Sequence, residues 1–310
     1  MKKLLPALLL PLLATAAPLD GPYKDVTRGL GAPEPLITTP PWHDRRQTLL
    51  WAFATGECGD ERWGEGIDTA AFARANVAQA QRQGQRYIVS TGGALGIFSC
   101  ASDDGMARFV DRYDSPLLAG LDFDIEGAQT PEQIDALVDR LAVLQRRRPA
   151  LRLSFTLATH ASASDRGLNA SGEQVMRSIA RAGLQGAVIN LMVMNYGEAD
   201  ARWCIVRRGR CDMGRSALQA VHNLHRAFGV PYGQIAVTAM LGENDVAGNV
   251  FTLADARRLA KAARQLGLAG VHHWSLDRDQ PCPPGEARVS PRCHALPGVP
   301  AGRFGAALRR

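Results

Sequence analysis

The stretch Leu118-Ala119-Gly120-Leu121-Asp122-Phe123-Asp124-Ile125-Glu126-Gly127 alternates apolar with acidic residues from Leu121 onward. Successive side chains of a strand point to opposite faces, so Asp122, Asp124 and Glu126 share one face and Leu121, Phe123 and Ile125 the other. A solvated edge strand or a loose calcium loop is the plain alternative, but Phe123 and Ile125 demand burial and the EF-hand spacing with its central Gly is absent. In a barrel the apolar face meets the surrounding helices and the acids lie inside, with Glu126 at the C-terminal mouth. Carboxylates at alternate positions sit roughly 7 Å apart at Cα and cannot all ionise cheaply in a partly desolvated interior. At least one is expected to hold a proton near neutrality, and the outermost, Glu126, is the candidate general acid.

Similar runs recur along the chain. Leu49 to Thr55, Arg86 to Gly92, Leu118 to Ile125, Leu151 to Ala158, Ala187 to Met194, Ile235 to Leu241 and Gly270 to Leu276 start 37, 32, 33, 36, 48 and 35 residues apart. Helical patterns fill the gaps, which is the alternation of βα units and a parallel sheet. From Pro131 to Arg147, Thr130 serves as N-cap, Gln133 completes a capping box, and Ile134, Leu137, Val138, Leu141 and Leu144 share one face. A second helix begins at Thr252, with Asp255 three residues on, and stops at Gly267. Seven strands read clearly. A fainter eighth at Tyr23 to Thr27 closes a (β/α)8 TIM barrel, a single α/β domain close to the usual size of about 250 residues. A doubly wound open sheet is the alternative, without a G-x-G-x-x-G after an early strand to support it. The tail from Pro281 to Arg310 is too short for a separate module and is expected to fold onto the barrel.

Residues 1–16 read as a secretory signal peptide: Lys2 and Lys3, an apolar core from Leu4 to Leu13, and small residues Ala14-Thr15-Ala16 before the cleavage point. The apolar run is too short for a spanning helix, which needs about 20 residues. Six cysteines, all after the leader and none in a CxxC, agree with an oxidising compartment; nearest-neighbour pairing gives Cys58 with Cys100, Cys204 with Cys211 and Cys282 with Cys293. These spacings do not resemble a structural zinc site. The net charge of +6 falls to +4 without the leader, and since 32 of 36 basic residues are Arg it reflects composition more than a ligand; neither nucleic acid nor membrane is an expected partner. His222 with His225 and His272 with His273 read as surface or core residues, not metal ligands. Arg146-Arg147-Arg148 closes a helix, where cations complement the dipole. Trp42, Trp51, Trp63 and Trp203 are candidate stacking platforms, Trp63 and Trp203 above the others because they fall in βα loops.

Leu121-Asp122-Phe123-Asp124-Ile125-Glu126 resembles the catalytic motif of the family 18 glycoside hydrolases, the chitinases and endo-β-N-acetylglucosaminidases. The resemblance continues in order along most of the chain. Ser90-Thr91-Gly92-Gly93 is similar to the family's S-x-G-G element, Met192-Val193-Met194-Asn195-Tyr196 to its M-x-M-D-Y element, and Trp274 to the tryptophan that floors the sugar site. Met240, Gly242, Asn244 and Asp245 resemble a bacterial chitinase branch. The resemblance implies substrate-assisted retention, outside the two-carboxylate scheme. Glu126 would protonate the glycosidic oxygen and later activate water. Asp124 would hold the acetamido N–H and stabilise an oxazolinium cation, and Tyr196 would donate to the acetamido oxygen. Asp122, Ser90 and Asn195 would support them, while Trp274, Met192, Met194, Gly92 and Gly93 would line the sugar site. No cofactor and no metal are implied.

Two positions depart from the family pattern. Ala119 stands where another Asp is usual, and Asn195 replaces the Asp before Tyr196, so neither supplies charge. The function expected is a secreted monomeric chitinase cleaving β-1,4-linked N-acetylglucosamine polymers, extracellular or periplasmic. The alternatives are an endo-β-N-acetylglucosaminidase on N-glycans and a non-catalytic chitin-binding lectin on the same scaffold.

Overall fold

The computed structural model describes residues 18–310 except 29, 32–34 and 165, so the leader read at 1–16 lies outside the described residues. Eight parallel strands form a closed barrel: β1 (Gly21–Asp25), β2 (Leu49–Ala54), β3 (Tyr87–Gly92), β4 (Leu118–Ile125), β5 (Arg152–Ala158), β6 (Val188–Met192), β7 (Ile235–Met240) and β8 (Gly270–Trp274). Each pairs with its sequence neighbours, and β1 closes the circle against β8. The fold is the (β/α)8 barrel read from the sequence, with one departure. Helices α1 (Thr69–Gln83), α2 (Asp103–Arg112), α3 (Pro131–Arg147), α4 (Ala170–Ala182), α5 (Met213–Phe228) and α6 (Leu253–Leu266) follow β2 to β7, and α7 (Arg303–Leu308) comes after β8. Between β1 and β2 the described residues hold no helix but a short ladder of Leu30–Gly31 with Leu36–Ile37, tied to α1 by Ile37 N donating to Asn76 Oδ1 at 2.7 Å.

Local sequence explains the boundaries. Thr130 caps α3 with a complete capping box and Pro131 in the first turn. Thr252 and Asp255 do the same for α6, which ends where Gly267 turns left-handed. Strand β6 stops at Met192, two residues short of the sequence reading, because the chain turns at Asn195, whose φ of 49° lies in the left-handed region.

Two apolar layers position the acids. Outward-facing Leu121, Phe123 and Ile125 are buried with Phe155, Leu157, Val138 and Leu141 between sheet and helices; each such side chain contributes about 1.5 to 3 kcal/mol. Inside, Leu19, Tyr23, Leu50, Ala52 and Ile88 form an apolar cluster. Ala119 packs against this cluster, where the β3 to β4 register slips between Tyr87 and Ile88. A methyl group therefore meets apolar neighbours at the position where the family motif carries a carboxylate.

The three disulfides pair as nearest neighbours, as read from the sequence. All lie in segments following the C-terminal ends of strands. Cys58–Cys100 ties the β2 and β3 loops across 42 residues, about 4 kcal/mol in the chain-entropy account, and Cys204–Cys211 clips the loop after β6. The tail packs back on the barrel: Phe304 N and Gly305 N donate to Asp279, and Arg310 pairs with Asp20 at 2.6 Å. No helix among the described residues is long and apolar enough to cross a membrane.

Candidate active site

Asp122 sits in the barrel interior with no exposed surface. Four hydroxyls from three strands, β1, β3 and β5, surround its carboxylate. Tyr23 (2.9 Å) and Ser90 (2.6 Å) donate to Oδ2, and Ser154 (2.6 Å) and Thr156 (2.8 Å) to Oδ1. Asn190 on β6 sets the direction of this network. Its amide nitrogen donates to Tyr23 Oη at 3.0 Å and to Thr156 Oγ1 at 2.8 Å, while Thr238 Oγ1 donates to its Oδ1 at 3.0 Å. Because Tyr23 and Thr156 accept from the amide, their own protons are free to point at Asp122. Burial raises the Asp122 pKa, and the four hydroxyls oppose that shift. Of this cage only Ser90 was read from the sequence as a support of Asp122.

Asp124, one pleat further out, is 4% exposed and has no such cage: its Oδ1 is buried without a partner among the described residues. Burial, then the charges of Glu126 and Asp122, raise its pKa well above the ordinary carboxylate value. Asp122, with four hydroxyl donors, is the better stabilised carboxylate of the two. Glu126 lies just past the end of β4 and is exposed as a residue, yet partial burial of its carboxyl and the nearby Asp245 anion raise its pKa. Tyr196 is the second group with nothing to bond. The residue is 3% exposed, its hydroxyl has no partner among the described residues, and burial alone raises its pKa well above the ordinary value. Buried polar atoms without partners are uncommon, and the pair Asp124 Oδ1 and Tyr196 Oη suits a ligand offering one donor and one acceptor.

The loop carrying Tyr196 is stitched to the loop after β7. Asn195 N donates to Asn244 Oδ1 (3.3 Å) and its Nδ2 to Asp245 Oδ2 (3.0 Å), while Val246 N donates to Asn195 Oδ1 (3.2 Å). Asn249 accepts from Tyr196 N at 3.0 Å and donates to Gly197 O at 2.8 Å. The Asn195 amide is thus engaged at both ends by protein.

Trp274 is half-buried at the end of β8. Phe53, a residue the sequence reading missed, stacks on it at 5.4 Å with planes 15° apart, and Tyr23 lies 6.1 Å away. Gly92 and Gly93 have positive φ, and their place is dictated by close approach: a Cβ on Gly92 would lie 2.1 Å from Asp124 O, and one on Gly93 2.7 Å from the Phe53 ring. Met192 and Met194 are half-buried while Val193 between them is fully buried, as alternation requires. The tryptophans divide. Trp63 is fully buried and donates to Tyr113 Oη at 2.6 Å, and Trp51 is buried against Tyr87 at 4.2 Å, so neither is a sugar platform, a correction forced by the packing of the outer core. Trp42 is half-buried against Gly302 in the segment leading into β2. Trp203 is 36% exposed and lies 5.1 Å from the His160 ring, tilted by 56°, beside Gly197. Burial lowers His272 to about 4 and His273 to about 3, so both are neutral core residues; His225 stacks on Tyr232 at the α5 surface.

No family model matches the chain. It is similar to a protein of Escherichia coli (strain K12) named probable bifunctional chitinase/lysozyme, 31% identical over 252 residues that make up 76% of this chain and 27% of that protein. Endochitinase 11 of Metarhizium anisopliae is 29% identical over 248 residues, 74% of this chain and 47% of that one. The chain spans about a quarter and just under half of these relatives. Among solved structures, catalytic site mutants of active domain 2 of the thermostable chitinase from Pyrococcus furiosus, complexed with chito-oligosaccharides, align over 95% of both chains at TM-score 0.70 and 25% identity. Relatives named chitinase along three quarters of the sequence and along nearly the whole fold agree with the acid run that ends at this barrel's mouth: the chain belongs to glycoside hydrolase family 18.

Proposed function

We propose that the protein is a chitinase-type glycosidase that cleaves β-1,4-linked N-acetylglucosamine polymers with retention, by substrate-assisted hydrolysis. The observation that carries this reading is the pair of buried, unpartnered atoms, Asp124 Oδ1 on β4 and Tyr196 Oη in the loop after β6. A 2-acetamido group supplies what they lack: its N–H donates to Asp124 and its carbonyl accepts from Tyr196. Held this way, the carbonyl oxygen attacks its own anomeric carbon while Glu126 gives its proton to the glycosidic oxygen. The oxazolinium N–H stays hydrogen-bonded to Asp124, and the negative charge that Asp122 and Asp124 share stabilises the cation. Glu126, now a base, takes a proton from water as that water opens the ring. Trp274, backed by Phe53, floors the sugar face, and Trp203 serves as an outer stacking platform.

The leader at 1–16 is proposed to direct export, with 17–310 as the mature catalytic domain acting as a monomer outside the cytoplasm, where the three disulfides persist. N-acetylglucosamine in bacterial cell-wall glycan is the second substrate to assay, because the Escherichia coli relative's name joins chitinase with lysozyme. The test is release of reducing ends from chitotetraose. Wild type is expected to turn over and Glu126→Gln to lose about 10²- to 10⁴-fold in kcat with its fold intact; activity equal to wild type in Glu126→Gln refutes the assignment.

A further inference from the structure

Among the described residues nothing bonds the Tyr196 hydroxyl, so the place of the ring is set by its packing and by the backbone that carries it. That backbone is irregular. Strand β6 has ended at Met192, Val193 N donates to Thr238 O at 2.9 Å, and Tyr196 then sits between two residues of positive φ, Asn195 at 49° and Gly197 at 99°. Its amide and the carbonyl of the next residue find their partner in a side chain. Asn249, 1% exposed, accepts from Tyr196 N through Oδ1 at 3.0 Å and donates through Nδ2 to Gly197 O at 2.8 Å. One planar amide thus satisfies backbone groups on both sides of Tyr196, as a neighbouring strand would, and because its two ends differ it fits in one orientation. Asn249 is itself held. Its N donates to Val246 O at 3.1 Å and its O accepts from Asn244 N at 2.9 Å, within a hairpin where Gly242–Glu243 pairs with Val250–Phe251. The segment after β8 clamps this hairpin: buried Arg278 donates to the carbonyls of Leu241 and Glu243, and His294 O accepts from Glu243 N at 3.0 Å. The Cys282–Cys293 disulfide ends one residue before His294.

We propose that Asn249 is a positioning residue for the reaction: from the loop after β7 it fixes the backbone on both sides of Tyr196 and so sets where that hydroxyl meets the acetamido oxygen of the substrate. This rests on the reading of Tyr196 as the donor to that oxygen. A hydroxyl without a bond of its own follows whatever its backbone does, and both flanking backbone groups depend on the one side chain. The rigid ring carries a tilt of the backbone out to the oxygen, and a displacement of about 1 Å at a reacting group costs up to about 10²-fold in rate. Asn244 has the lesser part, accepting from Asn195 N at 3.3 Å.

The test is a double-mutant cycle on chitotetraose with wild type, Asn249→Ala, Tyr196→Phe and the double variant. Asn249→Ala is expected to lower kcat by about 10- to 10²-fold with KM within about threefold of wild type. In the Tyr196→Phe background the same change is expected to cost under about threefold, because the hydroxyl it displaces is already gone. Factors that multiply in the double variant, an unchanged kcat in Asn249→Ala, or a loss carried by KM alone overturns the proposal. If Asn249→Ala fails to fold, Asn249→Asp keeps the shape and exchanges only the donor toward Gly197 O for an acceptor, and the same comparison applies. A fluorine label needs no turnover. The NMR signal of 3-fluorotyrosine at 196 is expected to shift or broaden in Asn249→Ala, while that of 3-fluorotyrosine at fully buried Tyr87 stays as in wild type. Should wild type prove inactive, that failure belongs to the proposed activity, and a signal at 196 unchanged by Asn249→Ala still refutes the role of Asn249.

Discussion

Thr156→Val removes one hydroxyl from the Asp122 cage while keeping the shape of a side chain that is 1% exposed. Two bonds go with it: the 2.8 Å donation to Asp122 Oδ1 and the 2.8 Å acceptance from Asn190 Nδ2. A hydrogen bond to a buried charge is worth about 1.5 to 3 kcal/mol and a neutral one about 1, so the variant is expected to lose about 2 to 4 kcal/mol at pH 8. The dependence on pH gives the argument its sign. The folded-state pKa of Asp122 already lies above the ordinary value because of burial, and loss of a donor raises it further. Destabilisation is fully present where Asp122 is ionised in both proteins, and shrinks as pH falls through the variant's folded pKa, because the variant takes up its proton first. Urea denaturation of both proteins at pH 8 and pH 4.5 measures this. A loss under about 0.5 kcal/mol at pH 8 refutes the cage as a stabilising network, and an equal loss at both pH values refutes its tie to the charge of Asp122.

Tyr196→Phe is expected to separate stability from function: deleting a buried hydroxyl without a partner stabilises the fold by about 1 kcal/mol, while loss of a donor to the acetamido oxygen lowers kcat by roughly 10²-fold. Thermal melts and chitotetraose turnover on one preparation read both. His272 and His273, held by burial at about 4 and about 3 against 6.5 when unfolded, stay neutral in the fold where the unfolded chain takes up protons. Their contribution is therefore present above pH 6.5 and is lost as pH falls toward 4, with a slope of at most about 2.7 kcal/mol per pH unit for the two together. His273→Gln is expected to halve that slope in denaturation series between pH 6 and 4.5.

The barrel and the acid run were legible because each rests on periodicity within one segment. Alternation in Leu121 to Glu126 fixed which residues face inward, and Thr130, Gln133, Thr252 and Gly267 carry local capping chemistry that tertiary context left untouched. Cysteine pairing followed from short separations. The hydroxyl cage was not legible, since Tyr23, Ser154, Thr156 and Asn190 lie on three different strands, and only closure of the barrel brings them to Asp122. Inward alternation from Asp122 to its strand neighbours is the one signal that would have found Ser154 and Thr156. Asp245 carried a resemblance but no role, because its bond to Asn195 crosses between loops 50 residues apart. Trp63 shows the opposite error: a βα-loop position suggested a platform, whereas Tyr113 and Phe72 claim the ring for the core.

The central claim is that the substrate's own acetamido group, held by Asp124 and Tyr196, performs the displacement that Glu126 assists. Real-time proton NMR of chitotetraose cleavage reads it directly through the anomeric configuration of the first products. The account requires the β-anomer at the newly formed reducing end before mutarotation, together with no turnover of an analogue whose 2-acetamido group is replaced by hydroxyl at the scissile sugar. The α-anomer as first product, or cleavage of the 2-hydroxyl analogue at a comparable rate, contradicts it.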